Sequence, residues 1–205
     1  VSGKVRRDFA PIDVIPKFLQ ISHPRYDWTN HAWNAVKVGD RWYLVDTTWD
    51  DGNSYNTSYL MLPPTVMLAS HLPKFPAWQL LESPITRHIF EQRPLLKPPF
   101  FADQLKLLSP TTHQTRVGET ATIEIETPDN YKGTIQATYE RKDQTSEPSD
   151  SSSLDAKEIP QCQAEERNGN TIHFTCPFDD SGNYRVTLEK VEDGSTLGWL
   201  DFRAS

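Results

Sequence analysis

His31 and Asp46 are separated by two apolar runs with a Gly39-Asp40 pair between them. An imidazole beside a carboxylate is what a cysteine or serine nucleophile requires. The carboxylate fixes the ring tautomer, and the ring takes the nucleophile's proton. The same residue types also make purely structural pairs, and spacing alone does not separate the two. Beyond Asp46, the run from Trp49 to Asn56 places Trp49 and Tyr55 among Asp50, Asp51 and Asn53. Aromatic faces beside oxygen-rich side chains suit sugar hydroxyls. The carboxylates are also hard ligands for Ca²⁺, but their spacing is not that of an EF-hand loop, and a solvated turn is the preferred reading. His23 and His71 have no ligand spacing and read as ordinary hydrogen-bonded histidines. No metal or cofactor is therefore expected. Cys162 and Cys176 read either as a bridge between adjacent strands, contributing about 3 kcal/mol, or as two buried thiols. Asn56-Thr57-Ser58 is a glycosylation sequon.

These side chains need elements to position them. Residues from His31 to Val38 alternate loosely, and Arg41-Trp42-Tyr43-Leu44-Val45 is an apolar run of strand length. The two predict an antiparallel hairpin with Gly39-Asp40 at its turn. In that hairpin His31 and Asp46 fall near the same end of neighbouring strands. Trp33, Trp42 and Trp78 read as core. Nine prolines lie within residues 63–110 and argue against long helices. A short helix over Thr86–Arg93, capped by Thr86, fits between Pro84 and Pro94. Leu95–Phe101 reads as an extended connector laid against a core. From residue 112 short alternating strands recur at Thr120–Glu126, Thr134–Arg141, Thr171–Cys176, Asn183–Lys190 and Leu197–Arg203. Turn residues separate them, as in a β-sandwich. Tyr184 sits where a tyrosine corner would bond its hydroxyl to backbone. Gln144–Asp155 is too polar to bury a core and reads as a mobile loop.

The 205 residues carry a net charge of -7, unevenly shared. Residues 1–110 hold 12 basic and 10 acidic side chains, residues 111–205 hold 9 and 18, and five of the six tryptophans lie in the first part. A shift this sharp predicts two domains, 1–110 and 111–205. The acidic balance argues against nucleic-acid binding, and no apolar run approaches the ~18 residues of a membrane span. No secretory pattern opens the chain, which is expected to be a mature form or a piece of a longer one.

His31-Ala32-Trp33-Asn34, with Trp42-Tyr43-Leu44-Val45-Asp46 and Trp49, resembles the His and Asp motifs of the transglutaminase-like superfamily. The following residues, Tyr59-Leu60-Met61-Leu62-Pro63-Pro64, His71-Leu72-Pro73, Trp78-Gln79-Leu80-Leu81 and Pro99-Phe100-Phe101, are similar to its kyphoscoliosis peptidase and hillarin branch. The resemblance covers about residues 1–110. It implies an α+β papain-like partial core with an antiparallel sheet, ahead of an all-β immunoglobulin-like sandwich. It also implies His31 as triad base, Asp46 as its orienting carboxylate, and Trp33 and Asn34 as supports of the ring. The family's nucleophilic Cys precedes its His by roughly 40 residues; none of the 30 residues before His31 is Cys. The expectation is therefore a binding or scaffolding protein with an incomplete triad. One alternative is a fragment of a cysteine peptidase or transglutaminase, with a second chain or segment supplying the missing helix. Another is an extracellular carbohydrate-binding protein. The expected ligand is a protein or a glycan. An extracellular place and a cytoskeleton-associated cytoplasmic one both remain open.

Overall fold

A computed structural model describes residues 1–5, 30–50, 57–142, 159–167 and 169–205. The chain divides into two compact units, Val1–Phe90 and Glu91–Ser205. Both are built mainly from antiparallel strands.

The first unit contains β1 (Ser2–Val5), β2 (His31–Ala32), β3 (Asn34–Val38), β4 (Arg41–Val45) and, after two one-turn helices, β5 (His71–Pro73). The helices are α1 (Thr47–Asp50) and α2 (Pro64–Met67). Strand β1 runs between β2 and β5, antiparallel to both, with Gly3 opposite His31 and Val5 opposite His71. Only glycine fits at position 3, because a Cβ there would lie 2.0 Å from the Leu72 carbonyl oxygen and 2.6 Å from the Trp33 ring. Strands β3 and β4 form the expected hairpin, Asn34 opposite Val45 and Val38 opposite Arg41. Gly39 occupies the first turn position at φ 59°, a conformation that costs glycine little. The predicted first strand does not run unbroken from His31. It changes sheets at Trp33, so β2 pairs with β1 and β3 with β4.

Val5, Trp33, Leu44, Tyr59 and Met67 form one buried cluster of this unit, and Leu68, Leu72 and Phe90 another. Trp42, expected in the core, is exposed and meets Trp78 edge-on at 5.3 Å. It lies near the hairpin turn, where β4 projects beyond the packed end marked by Leu44 and Val45. Helices among the described residues of this unit are no longer than six residues, and all but α1 lie in the proline-rich stretch. An α+β papain-like core needs longer ones, so the described residues do not support that part of the expected fold. The helix expected at Thr86 is present as α3 (Arg87–Gln92), with Thr86 Oγ1 accepting the Ile89 N–H.

The second unit comprises β6 (Leu95–Leu96), α4 (Pro98–Ala102), β7 (Lys106–Ser109), β8 (Gln114–Val117), β9 (Thr120–Glu126), β10 (Ile135–Arg141), β11 (Gln163–Arg167), β12 (Thr171–Pro177), β13 (Gly182–Lys190) and β14 (Thr196–Ala204). One sheet is ordered β10-β13-β14-β6, with β8 parallel to β14; the other is ordered β11-β12-β9-β7. Alternate residues point inward: Ala121, Ile123 and Ile125 from β9, Phe174 and Cys176 from β12, Val186 and Leu188 from β13, Leu200 and Phe202 from β14. This is the sandwich that the period-2 patterning predicts. The Tyr184 hydroxyl donates to the Asp180 carbonyl at 3.0 Å, as a tyrosine corner requires.

Residues 91–110, expected with the first domain, belong to this unit. Leu95 and Leu96 pair with Trp199 and Gly198 on β14, and Phe100 and Leu105 join the sandwich core. The connector over Leu95–Phe101 is extended only at β6. From Pro98 it turns helical, with prolines at the first helical positions, where their missing N–H groups cost nothing. The Gln144–Asp155 loop lies outside the described residues.

Candidate functional site

Three strands and a cap bring one carboxylate and two imidazoles together. Asp46 follows β4 and caps α1. Its Oδ1 accepts the Thr48 N–H at 3.0 Å and the Trp49 N–H at 3.3 Å. Its Oδ2 lies 2.6 Å from His31 Nε2 and 2.9 Å from His71 Nε2. Strand β1 sets the spacing of the two imidazoles, because β2 and β5 flank it with one histidine each. Asp46 and His71 are buried at 1% and 0% exposure, while the His31 side chain retains 10%. A carboxylate only accepts, so both Nε2 atoms donate to it. Ser70 Oγ lies 2.7 Å from His71 Nδ1 and donates there when the ring is neutral.

Burial by itself raises the Asp46 pKa. The hydrogen bonds from His71 and His31, with their positive potential, outweigh it and hold the carboxyl below its ordinary value. Burial depresses the His71 pKa against the opposing pull of Asp46, which keeps this ring neutral. The net result is a carboxylate saturated with donors inside a ring of aromatics. Trp33 stacks on His31 at 6.2 Å and meets His71 edge-on at 5.0 Å. Trp49 lies 4.4 Å from His71 and 5.0 Å from Tyr59.

His31 and Asp46, predicted as a pair, are in direct hydrogen-bond contact. Trp33 packs on both imidazoles. Asn34, expected to support the ring, is exposed; strand alternation turns it away once Trp33 turns in. Trp49, expected to face a ligand, is half-buried within the aromatic ring. Asp50 accepts the Tyr59 N–H at 2.8 Å, with its pKa raised by burial despite that bond. Asp51, Asn53, Tyr55 and the sequon residue Asn56 lie outside the described residues, as does His23. His71 is the member that sequence reasoning missed. The sequence reads it as an ordinary hydrogen-bonded histidine, but its partner depends on β5 pairing with β1, a long-range register that no local pattern announces. Cys162 and Cys176 are bonded to each other in the second unit, and the chain has no other cysteine.

The dyad geometry suits proton transfer through His31, given a nucleophile at its remaining nitrogen. The 205 residues supply no free thiol for that place.

Comparison with known proteins matches residues 87–199 to the family model described as "KY-like, immunoglobulin-like domain". Kyphoscoliosis peptidase of Mus musculus is 35% identical over 108 residues, which make up 47% of this chain and 16% of that protein. Kyphoscoliosis peptidase of Homo sapiens is 34% identical over the same length, with the same coverage. The chain thus spans 16% of the length of these curated relatives. Among solved structures, the Lin-41 filamin domain matches with a TM-score of 0.33 and 11% identity, over 50% of this chain and 94% of that one.

Proposed function

Because the chain belongs to the KY-like, immunoglobulin-like domain family, we propose that it acts as a binding or scaffolding module whose first unit is a transglutaminase-like remnant. In this reading His31 and Asp46 correspond to the base and orienting carboxylate of the transglutaminase-like superfamily and serve as a structural core. The observation that carries the proposal is the fate of the sulfur within these 205 residues: Cys162 and Cys176 are bonded to each other. An imidazole without a nucleophile performs no acyl transfer, whatever its protonation. The cluster then serves to fix β2, β4 and β5 against each other. A protein ligand fits better than a glycan, because Trp49, the ring best suited to stack on a sugar, is already engaged by His71 and Tyr59.

The test is turnover by the purified chain. Neither hydrolysis of a fluorogenic peptide amide nor incorporation of an amine into a glutamine peptide is expected. Turnover abolished by His31→Ala would overturn the reading.

A second reading is favoured by the 2.6 Å His31–Asp46 contact. Here the same dyad serves a cysteine peptidase or transglutaminase, and the nucleophile belongs to a longer protein of which these residues are a part. Full-length protein would then react with a thiol-directed electrophile in a manner dependent on His31, while the isolated chain would not.

A further inference from the structure

We infer that His31, Asp46 and His71 form a binding site for a divalent transition ion of the zinc class. The inference requires neither reading above, and an ion there would take up the His31 and Asp46 atoms that the second reading uses as a dyad. The ligand atoms of the three residues lie within 4.8 Å of one another. Two Nε2 atoms converge on a single carboxylate oxygen, at 2.6 and 2.9 Å. An ion about 2.1 Å from each donor sets neighbouring donors roughly 3–3.5 Å apart. To reach that geometry the two His–Asp distances open by less than about an ångström, and the two imidazole nitrogens, within 4.8 Å of each other, draw together by side-chain torsion.

What distinguishes this cluster from an ordinary hydrogen-bonded triad is its second layer. A metal-bound histidine donates its other ring N–H to a fixed acceptor, which sets the tautomer. Ser70 Oγ stands 2.7 Å from His71 Nδ1 for that purpose. On metal binding the ring proton moves from Nε2 to Nδ1, and the serine hydroxyl turns from donor to acceptor. His71 therefore stays neutral and releases no proton. Asp46 Oδ1 is held by the N–H groups of Thr48 and Trp49, which aims Oδ2 inward. Trp33, Trp49 and Tyr59 wall the cluster, lowering the local dielectric and strengthening charge–ligand attraction. Two imidazoles and one carboxylate favour zinc, cobalt or nickel over magnesium or calcium, which prefer oxygen donors. Three protein ligands leave a fourth position, and His31 is the one cluster member with solvent exposure through which an ion can enter.

The experiment is titration of the full chain, first stripped with chelator, using Zn²⁺ by calorimetry and Co²⁺ by visible absorption. One equivalent of Zn²⁺ is expected at micromolar affinity or tighter. Co²⁺ should give the intense d–d bands of a four- or five-coordinate site. His31→Gln should weaken Zn²⁺ binding at least tenfold. Ser70→Ala, which leaves every ligand in place, should weaken it by about ten- to a hundredfold. His88→Gln, outside the cluster, should leave it unchanged. Absence of stoichiometric binding overturns the assignment. So does equal affinity in the wild type and in folded Ser70→Ala and His31→Gln chains, folding being verified by circular dichroism.

Discussion

In Val1–Phe90, Asp46 and His71 are as inaccessible as the apolar Leu44, Met67 and Leu68. In Glu91–Ser205 the largest fully buried side chains among the described residues are Phe100, Phe174, Ile123, Ile125, Leu188, Leu197 and Leu200, and the ion pair of Arg185 with Asp201 keeps some solvent contact. The second unit is held by area removed from water, which is non-directional and spread over many residues. The first concentrates part of its order in one polar node whose four hydrogen bonds all meet on one carboxylate. A distributed core loses stability in proportion to what is deleted. A node fails as a whole, because each partner left behind is a buried polar group without its bond.

The largest effect expected on this comparison comes from Phe174→Ala. The ring is fully buried at the centre of β12, and its loss should cost about 3–5 kcal/mol. Urea unfolding followed by amide hydrogen exchange should show the drop in residues 91–205 and little change in residues 30–50. A fall shared equally by both segments would show that the two units do not unfold as separate entities.

Replacing both cysteines by alanine comes next. The closed loop predicts a loss of about 3 kcal/mol, again confined to the second unit. Exchange of the β2, β4 and β5 amides should not respond.

Asp46→Ala attacks the node. It strands the Nε2 protons of both histidines and two backbone N–H groups, and should cost about 2–4 kcal/mol in the first unit. Asp46→Asn keeps one acceptor oxygen but turns an amide donor toward rings that also donate, and should recover only part of the loss. Recovery of wild-type stability by asparagine would mean that the charge is irrelevant and that shape alone holds the node.

Acid should separate the units in the presence of chelator. His71 has a depressed folded-state pKa, so the unfolded chain binds more protons below about 6.5, and the first unit should weaken from there downward. Asp46, also depressed, adds its loss as pH falls below about 3.8. In the second unit Asp201 is held low because hydrogen bonds from His113 and Arg185 overcome its burial, so its contribution persists until about 3.8 and fades below that. Exchange measured at pH 5 should therefore show faster opening of residues 30–50 than at pH 7, with the β13 and β14 amides unaffected by this pair of effects.

The same contrast explains what the sequence discloses. Strand β9 was legible to the residue, because Ala121, Ile123 and Ile125 alternate with polar neighbours and turn residues bracket them. The β3–β4 hairpin was legible because Gly39-Asp40 states its turn locally. The His31–Asp46 contact followed from that hairpin, since both residues lie just beyond its paired end. Illegible elements took their partners from far away. Strand β8 is polar and lies beside β14 through a parallel pairing to residues 201–204. Strand β6 is two residues long and exists only because β14 offers an edge. His71 reaches Asp46 through β5 and β1, and the register that places it opposite Val5 is fixed by the fit of Gly3 under Trp33 and Leu72. The unit boundary was displaced for a similar reason. Composition changes near residue 111, but packing begins at Leu95 and Phe100, whose apolar character suits either domain.

The smallest effect tests whether polar contacts in the second unit are separable. Tyr184→Phe removes one hydroxyl from the bond to the Asp180 carbonyl and leaves the ring stacked on Phe178 at 4.2 Å. One hydrogen bond at the sandwich edge should cost about 1 kcal/mol. The carbonyl left behind lies in an exposed turn, where water can replace the lost donor. Combined with Phe174→Ala, the loss should be additive within about 0.5 kcal/mol, since Phe174 takes no part in the Tyr184 hydroxyl's bond to the Asp180 carbonyl. The matching pair in the first unit, Asp46→Ala with Ser70→Ala, should fall well short of additivity. Once the carboxylate is gone, His71 no longer has a fixed tautomer for Ser70 to support. Equal additivity in both pairs would remove the distinction between a node and a distributed core.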